Sequence, residues 1–509
     1  MRDSVKSFSG RQPRILVATP EITYLPHGMG NMADRLRAKA GGMADVSAAL
    51  VAALFDMGAD VHVALPHYRR MFHVDVANLI SEELRLYKSK LPESRIHLAE
   101  DRVFYYRDTV YSGQDADLKV ALAFQREIIN NIVPTVKPDI IHCNDWMTGL
   151  ITAMGRRLGI PCLLTVHNIH TCHATLAAIE DRGIDAAEFW RFLYFSRMPS
   201  SYEETRESNP VDLLTSGIFA AHFINTVSPS FLREIIEGRH NMVPPQVRHE
   251  IAQKFHAGCA LGILNAPDSS YDPQSDRALI ERYSAASRHA AKARNKAALQ
   301  KRLGLTVNEH APLFLWPSRL DPVQKGCQLL GDVLPAVVSA ADRNSPQVVV
   351  VASGAYRQRL VEIVSSAGLG KKVAIRDFDE SLQRLGYAAA DFVLMPSSFE
   401  PCGLPQMIGC IYGALPVAHD TGGLHDTIEP MSVERHTGNG FLFNVFDANG
   451  LLWAMNEALR FHSLPPDVRA REISRVMKDS ARRFTHSATA RQYIELYEKM
   501  LLRPLLRAF

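Results

Sequence analysis

The chain has 509 residues, 47% of them hydrophobic, and its 57 Lys and Arg against 54 Asp and Glu leave a formal charge of +3. That length carries about two to four domains, and the near-neutral balance gives no electrostatic footprint for nucleic acid or a membrane surface. Seven cysteines, odd in number and without a CxxC pair, argue against a disulfide framework and for a reducing compartment. No run approaches the ~20 apolar residues of a membrane span. The apolar stretch at 15–18 is too short for the core of a signal peptide, so the cytoplasm is the expected location.

In chain order, short apolar runs alternate with longer amphipathic ones. Residues 15–18, 61–65, 140–142, 162–166 and 223–227 read as buried strands, with helices expected at 45–57 and 123–133. A polar, weakly patterned segment at 265–287 interrupts the rhythm. It resumes with strands expected at 313–316, 348–352, 373–375 and 392–395 and helices at 382–390 and 406–412, before a largely helical tail at 451–505. This is the βαβ alternation of parallel sheets covered on both faces. The fold expected is α/β, with two doubly wound, Rossmann-like domains joined near 265–275. If their sheets face each other, the loops at the strand ends line a central cleft.

Ligands of such sheets bind beyond the carboxyl ends of the strands. Asn144-Asp145-Trp146, His167-Asn168, Ser318-Arg319 and Glu400 each follow an expected strand. Lys39-Ala40-Gly41-Gly42 precedes an expected helix; its glycines either admit an anion to backbone N–H groups or form a plain turn. Gly28-Met29-Gly30-Asn31-Met32-Ala33 imitates a dinucleotide fingerprint. It comes too late after the first strand, and the second strand ends in Pro66-His67 without an acidic residue, so it reads as a decoy. His167, His170, Cys172 and His173 match no standard zinc spacing and read as structural. Arg319 and Lys325 flank a Pro turn closed by Gly326, an arrangement that suits a diphosphate leaving group or two solvated charges. Glu400 opens Glu400-Pro401-Cys402-Gly403-Leu404-Pro405-Gln406 at the mouth of a helix, as a ligand carboxylate or a simple helix-start charge. Cys402 lacks a neighbouring His to activate it and reads as a small packing or hydrogen-bonding residue. Thr421-Gly422-Gly423 permits a second close backbone approach or a plain turn.

Taken together, Lys39-Ala40-Gly41-Gly42-Met43-Ala44-Asp45, Asn144-Asp145-Trp146, Thr165-Val166-His167-Asn168, Ile263-Leu264-Asn265, Arg319 with Lys325-Gly326, and the stretch from Phe399 to Gln406 resemble the bacterial glycogen synthase and starch synthase family over nearly the whole chain. The resemblance implies the GT-B fold, with domains at 1–268 and 269–480 and closing helices at 481–509 that pack back on the first. It implies a retaining glucosyltransferase that moves glucose from ADP-glucose to the non-reducing end of an α-1,4-glucan. Alternatives within it are a relative with another donor base or a small acceptor, or a non-catalytic glucan-binding homologue.

The implied catalytic residues are Glu400, His167, Arg319, Lys325 and Asp145. Lys39, Gly41, Gly42, Asn265, Cys402, Gly403, Leu404, Thr421, Gly422 and Gly423 would contact the nucleotide sugar, and Phe378 would stack on its base. The resemblance implies no metal or other cofactor, and no nucleic acid or membrane partner is expected. The chain departs from the family pattern in several places. The stretch between Glu21 and Lys39 is longer than usual, which suggests altered acceptor access. Met43 replaces Leu, Met147 stands where His often follows, His170-Thr171-Cys172-His173 replaces a Tyr-Gln-Gly run, and Ala266 follows Asn265 in place of Gly. Ile408 stands where broader GT-B relatives carry a ribose-binding Glu, which favours the glycogen synthase branch.

Overall fold

The structure, a computed structural model, describes residues 11–30, 33, 35–72, 95–241, 243–338 and 345–506. It divides into two compact units. The first comprises the chain up to Val227, Arg233–Ile263 and the segment from His486 onward; the second comprises Ser228–Leu232 and Leu264–Thr485. The crossover thus falls slightly before the expected boundary at 268, and the final return begins at His486 rather than at 481.

The first unit is built on seven strands: β1 (Arg14–Ala18), β2 (Asp60–Pro66), β3 (Ile96–Ala99), β4 (Ile140–Asn144), β5 (Cys162–Val166), β6 (Phe223–Thr226) and β7 (Ala260–Gly262). Their order across the sheet is β3-β2-β1-β4-β5-β6-β7, and every pairing is parallel. Ile15 is registered between Val61 on one side and Ile140 on the other. Ile15, Leu16, Val17 and Ala18 have no exposed surface, as both faces of a parallel sheet require. Helix α1 (Gly42–Asp56) returns the chain from the carboxyl edge of β1 to the start of β2. The helix expected at 123–133 is longer, running from Gln114 through a π turn at Ile128–Ile132 to Val136.

The long stretch between Glu21 and Lys39 is closed at its neck by two backbone bonds between Ile22 and Ala38, at 2.9 and 2.8 Å. Beyond the neck it folds inward: Leu25, Met29 and Leu36 are buried. Gly28 lies against the Phe55 ring near the end of α1, and the Met29 carbonyl accepts the Arg95 N–H at the start of β3. The stretch therefore packs along α1 toward the amino edge of the sheet. This corrects the expectation that it lies beside the ligand-binding edge and alters acceptor access. The decoy fingerprint sits on this excursion: its His27–Met29 portion is a single 3-10 turn, and Asn31 and Met32 fall outside the described residues.

The second unit carries β8 (Leu313–Trp316), β9 (Gln347–Val351), β10 (Val373–Arg376), β11 (Phe392–Met395), β12 (Leu415–His419) and β13 (Phe441–Phe443), ordered β10-β9-β8-β11-β12-β13 and parallel throughout. Both sheets therefore share one doubly wound order, with strand order reversing between the first strand and the fourth. Apolar clusters fill both faces of the second sheet, one around Trp316, Leu330 and Val350 and the other around Leu315, Val349 and Tyr387. Short helices α2 (Pro405–Tyr412) and α3 (Gly422–Thr427) follow β11 and β12, and the longer α4 (Pro466–Arg483) packs on α2. The segment at 265–287 has no helix or strand but is tied to this unit. Asp276 accepts the Tyr412 hydroxyl at 2.5 Å and pairs with Arg384 at 3.3 Å.

The last helix, α5 (His486–Leu501), belongs to the first unit and packs on α1. A buried polar chain fastens it to the sheet. Thr165 Oγ1 is 2.6 Å from both His142 Nε2 and Asn225 Oδ1; His142 Nδ1 is 2.7 Å from the Tyr497 hydroxyl, and Asn225 Nδ2 donates to the Tyr493 hydroxyl at 3.0 Å. Thr165 has one proton, which goes to Asn225 Oδ1, so His142 donates from Nε2 and accepts from Tyr497 at Nδ1. Burial holds the His142 imidazole neutral, down to about 3, as that arrangement needs.

Candidate active site

In the first unit, the strand ends place Asp145 beside His167. Asp145 follows β4 with a positive φ of 54°, in backbone conformation that L residues seldom adopt, and it is buried. Its Oδ1 accepts the His167 backbone N–H at 2.7 Å and its Oδ2 accepts the Asn168 side-chain amide at 2.9 Å. Burial pushes the Asp145 carboxyl up to about 7, and the nearby Glu21 charge adds to that. Asn144 Nδ2 donates to the Ala18 carbonyl at 3.0 Å, which leaves its Oδ1 to accept from His167 Nε2 at 2.9 Å. His167 is therefore an Nε2–H tautomer with Nδ1 as an acceptor, and burial lowers it to about 4.

The Lys39 turn departs from the sequence reading. The N–H groups of Ala40 and Gly41 already go to the buried Glu21 carboxylate, at 2.7 and 3.0 Å. Gly41 is thus not an open donor for a phosphate, and Gly42 is the first residue of α1. Lys39 reaches Asp45 at 2.7 Å and remains half exposed.

In the second unit, Lys325 and Glu400 meet although they lie 75 residues apart. Lys325 Nζ donates to Glu400 Oε2 at 2.6 Å, and the buried Ser397 hydroxyl donates to the same oxygen at 2.9 Å. The side chains of the pair are only 11% and 8% exposed. The segment Pro396-Ser397-Ser398 after β11 holds both partners. Ser398 Oγ and N–H bond the Val323 and Gln324 carbonyls just before Lys325, at 2.9 and 2.8 Å. Gly326, at a φ of 69°, sits so close that a Cβ there would stand 2.0 Å from the Pro396 carbonyl oxygen. Arg319, on the loop after β8, is exposed and reaches Gln324 at 3.4 Å.

Around Glu400 the backbone is tied to α3. The Gly423 N–H donates to the Glu400 carbonyl at 2.9 Å, and a Cβ on Gly423 would lie 2.0 Å from the Cys402 carbonyl oxygen. Gly423 is therefore required by packing and its N–H is used internally, which corrects the expectation of a backbone approach to ligand. Gln406 Nε2 spans the Cys402 and Gly403 carbonyls and the Thr427 hydroxyl, at 3.1, 2.9 and 3.0 Å. Cys402 is buried, with its thiol pushed up to about 12 and accepting the Asn265 backbone N–H. That makes it a hydrogen-bonding fixture and no nucleophile.

Asn265 is 7% exposed, and its Oδ1 is buried without a protein partner. Such an acceptor fits a ligand hydroxyl. Leu404 and Thr421 stand just before the first residues of α2 and α3, and Gly422 follows Thr421 at a φ of 48°. Phe378, beyond β10, is 59% exposed, and its N–H donates to Ser353 Oγ. Among the described residues no group of three or more His, Cys, Asp or Glu side chains is arranged to hold a metal ion; His173 turns to Asp212 at 3.4 Å instead.

Residues 14–243 match the starch synthase catalytic domain family, and residues 311–460 match glycosyl transferases group 1. The glycogen synthase of Moorella thermoacetica is 32% identical over 96% of this chain and 97% of its own length. The chain belongs to the glycogen synthase family. The glycogen synthases of Exiguobacterium sibiricum and Bacillus subtilis are 31% and 30% identical, over 90% and 91% of this chain and 95% of theirs. Among solved structures, the catalytic domain of starch synthase IV from Arabidopsis thaliana, bound to ADP and acarbose, superposes with a TM-score of 0.76. It is 24% identical and covers 97% of this chain and all of its own. Fold and family thus agree with the two doubly wound sheets. Among the described residues no helix is long and apolar enough to cross a membrane. Sequence reasoning gave no role to Glu21 and Asn144 in the first unit or to Ser397 and Gln406 in the second. Asn144 and Gln406 carried a signal, as parts of the runs that include Asp145 and Glu400.

Proposed function

We propose that this member of the glycogen synthase family transfers glucose from ADP-glucose to the non-reducing end of an α-1,4-glucan, with retention. The observation that carries the proposal is the buried Lys325–Glu400 pair on adjacent strand ends. Lysine has three donors and Glu400 takes one, so the remaining N–H groups suit a diphosphate oxygen. Arg319, on the same loop, adds a second cation. In the reaction the bond from the anomeric carbon to the diphosphate oxygen breaks, and the acceptor O4 attacks from the same face. The acceptor proton passes to the departing phosphate oxygen. Arg319 and Lys325 neutralise the charge that accumulates on the diphosphate. Glu400, held by Lys325 and Ser397, faces the positive charge at the anomeric carbon.

Asn265 Oδ1 accepts a sugar hydroxyl in this reading, and Gly403 and Leu404 line the same turn. Thr421 and Gly422 border the diphosphate, and Phe378 stacks on the base. Asp145, His167 Nδ1, Lys39 and Gly42 supply the contacts of the first unit. The scheme uses no metal or other cofactor.

Incorporation of labelled glucose into glycogen primer, measured with ADP-glucose and UDP-glucose side by side, tests the proposal. Turnover with ADP-glucose is expected. Preference for UDP-glucose overturns the donor assignment, and labelling of a small glucoside but not of glycogen overturns the acceptor assignment.

A further inference from the structure

Glu21 is a buried carboxylate at the ligand-binding edge of the first sheet, and the reaction as described does not use it. Its surroundings are specific. Oε2 accepts the N–H groups of both Ala40 and Gly41, at 2.7 and 3.0 Å. The Glu21 carbonyl accepts from Thr19 Oγ1 at 2.9 Å, and that hydroxyl also lies 3.2 Å from Ser47 Oγ on α1. One residue on, Ile22 exchanges two backbone bonds with Ala38. Lys39 is thus gripped on both sides: Ala38 before it is paired to Ile22, and Ala40 and Gly41 after it are bound to Glu21. The same grip closes the neck of the long 23–37 stretch, so those extra residues leave the Lys39 turn in place.

The carboxylate takes the N–H groups of the two residues that lead into α1. Burial raises the Glu21 carboxyl above its ordinary range, and the two N–H donors offset part of that cost.

We propose that Glu21 is a positioning residue that presents Lys39, and that the Lys39 turn meets the nucleotide sugar through the lysine side chain and not through the Ala40 and Gly41 N–H groups. This rests on the reading of Lys39 as a donor contact. It separates the parts of a motif that the sequence shows as one: Ala40 and Gly41 serve an internal carboxylate, and the lysine serves the substrate.

The test compares Glu21→Ala, Glu21→Gln, Lys39→Ala and the double variant Glu21→Ala/Lys39→Ala in the full chain, by kinetics with ADP-glucose and by amide hydrogen exchange across 38–42. Glu21→Ala is expected to lose exchange protection at Ala40 and Gly41 and to lower kcat/KM by about tenfold or more, chiefly through KM. Glu21→Gln, whose amide oxygen can accept both N–H groups, is expected to restore both readouts. The double variant should be no slower than Lys39→Ala alone, because Glu21 acts through the lysine. Unchanged protection at Ala40 and Gly41 in Glu21→Ala overturns the proposal. So does a double variant much slower than Lys39→Ala, which would mean that Glu21 touches the substrate itself. Wild-type kinetics in Lys39→Ala would sink the donor reading of the lysine, and the exchange data alone would then decide whether Glu21 holds the turn.

Discussion

Removing either partner of the Lys325–Glu400 pair should do more than stop turnover. Both side chains are about nine-tenths buried and joined at 2.6 Å, and Ser397 is the other donor to Glu400 Oε2. Lys325→Met therefore leaves a buried carboxylate with one neutral hydroxyl, and Glu400→Gln leaves a buried ammonium facing a neutral amide. Orphaning one member of such a pair costs about 3–5 kcal/mol. In a unit of this size that corresponds to a fall in Tm of roughly 6–20 °C for its transition. The double variant Lys325→Met/Glu400→Gln carries no buried charge and should recover most of the loss, with a coupling energy of about 2 kcal/mol or more. Scanning calorimetry and denaturant titration of the four proteins measure this, and glucose incorporation is followed in parallel. Turnover should be absent in all three variants, including the double variant that regains stability, because the charges are needed in the reaction. Single variants that lose less than about 1 kcal/mol each, and simply add, would mean that the pair is screened like a surface ion pair. That result would refute the reasoning from burial.

Three further outcomes are expected. The Asp145 carboxyl, raised by burial to about 7 from an ordinary 3.8, contributes stability that is fully present below its unfolded value and lost as pH rises through 7. Relative to Asp145→Asn, the wild type should therefore lose stability as pH rises from 3.8 to about 7 and level off above that; a gap that does not change with pH refutes the shift. Tyr497→Phe leaves His142 Nδ1 as a buried acceptor without its donor. It should cost about 1–3 kcal/mol and loosen α5, read as faster amide exchange across His486–Leu501. Gly423→Ala drives a Cβ onto the Cys402 carbonyl. It should lower stability by about 3 kcal/mol and displace Glu400, so thermal unfolding and turnover should fall together.

The inner strands were legible because a parallel strand covered on both faces must be apolar throughout: Ile15–Ala18, Cys162–Val166 and Phe392–Met395 have little alternative. The strands that sequence reasoning missed lack that run. Ile96–Ala99 lies at the sheet edge and is only partly buried, Ala260–Gly262 is three residues long, and Leu415–His419 contains Pro416. The strand-end rule located Asp145, His167, Arg319 and Glu400, since topology fixes where ligands meet such sheets. It could not pair Lys325 with Glu400 or bring Ser397 to them, because those contacts join separate strand ends and leave no local pattern.

The glycines show where the remaining ambiguity lay. A sequence displays a backbone N–H that can approach something closely, but not what it approaches. At Gly41 the partner is Glu21, and at Gly423 it is the Glu400 carbonyl. In both cases the donor that looked open to a phosphate is used to hold a charged side chain in place: Lys39 in the first unit and Glu400 in the second. Ligand contact then passes to the long side chains that these turns present, together with Asn265, whose buried Oδ1 has no protein partner. Substitution at the glycines should accordingly impair folding and catalysis together, whereas Asn265→Ala should raise KM for the nucleotide sugar with little change in stability. Equal losses of stability at Asn265 and at Gly423 would contradict this division of roles.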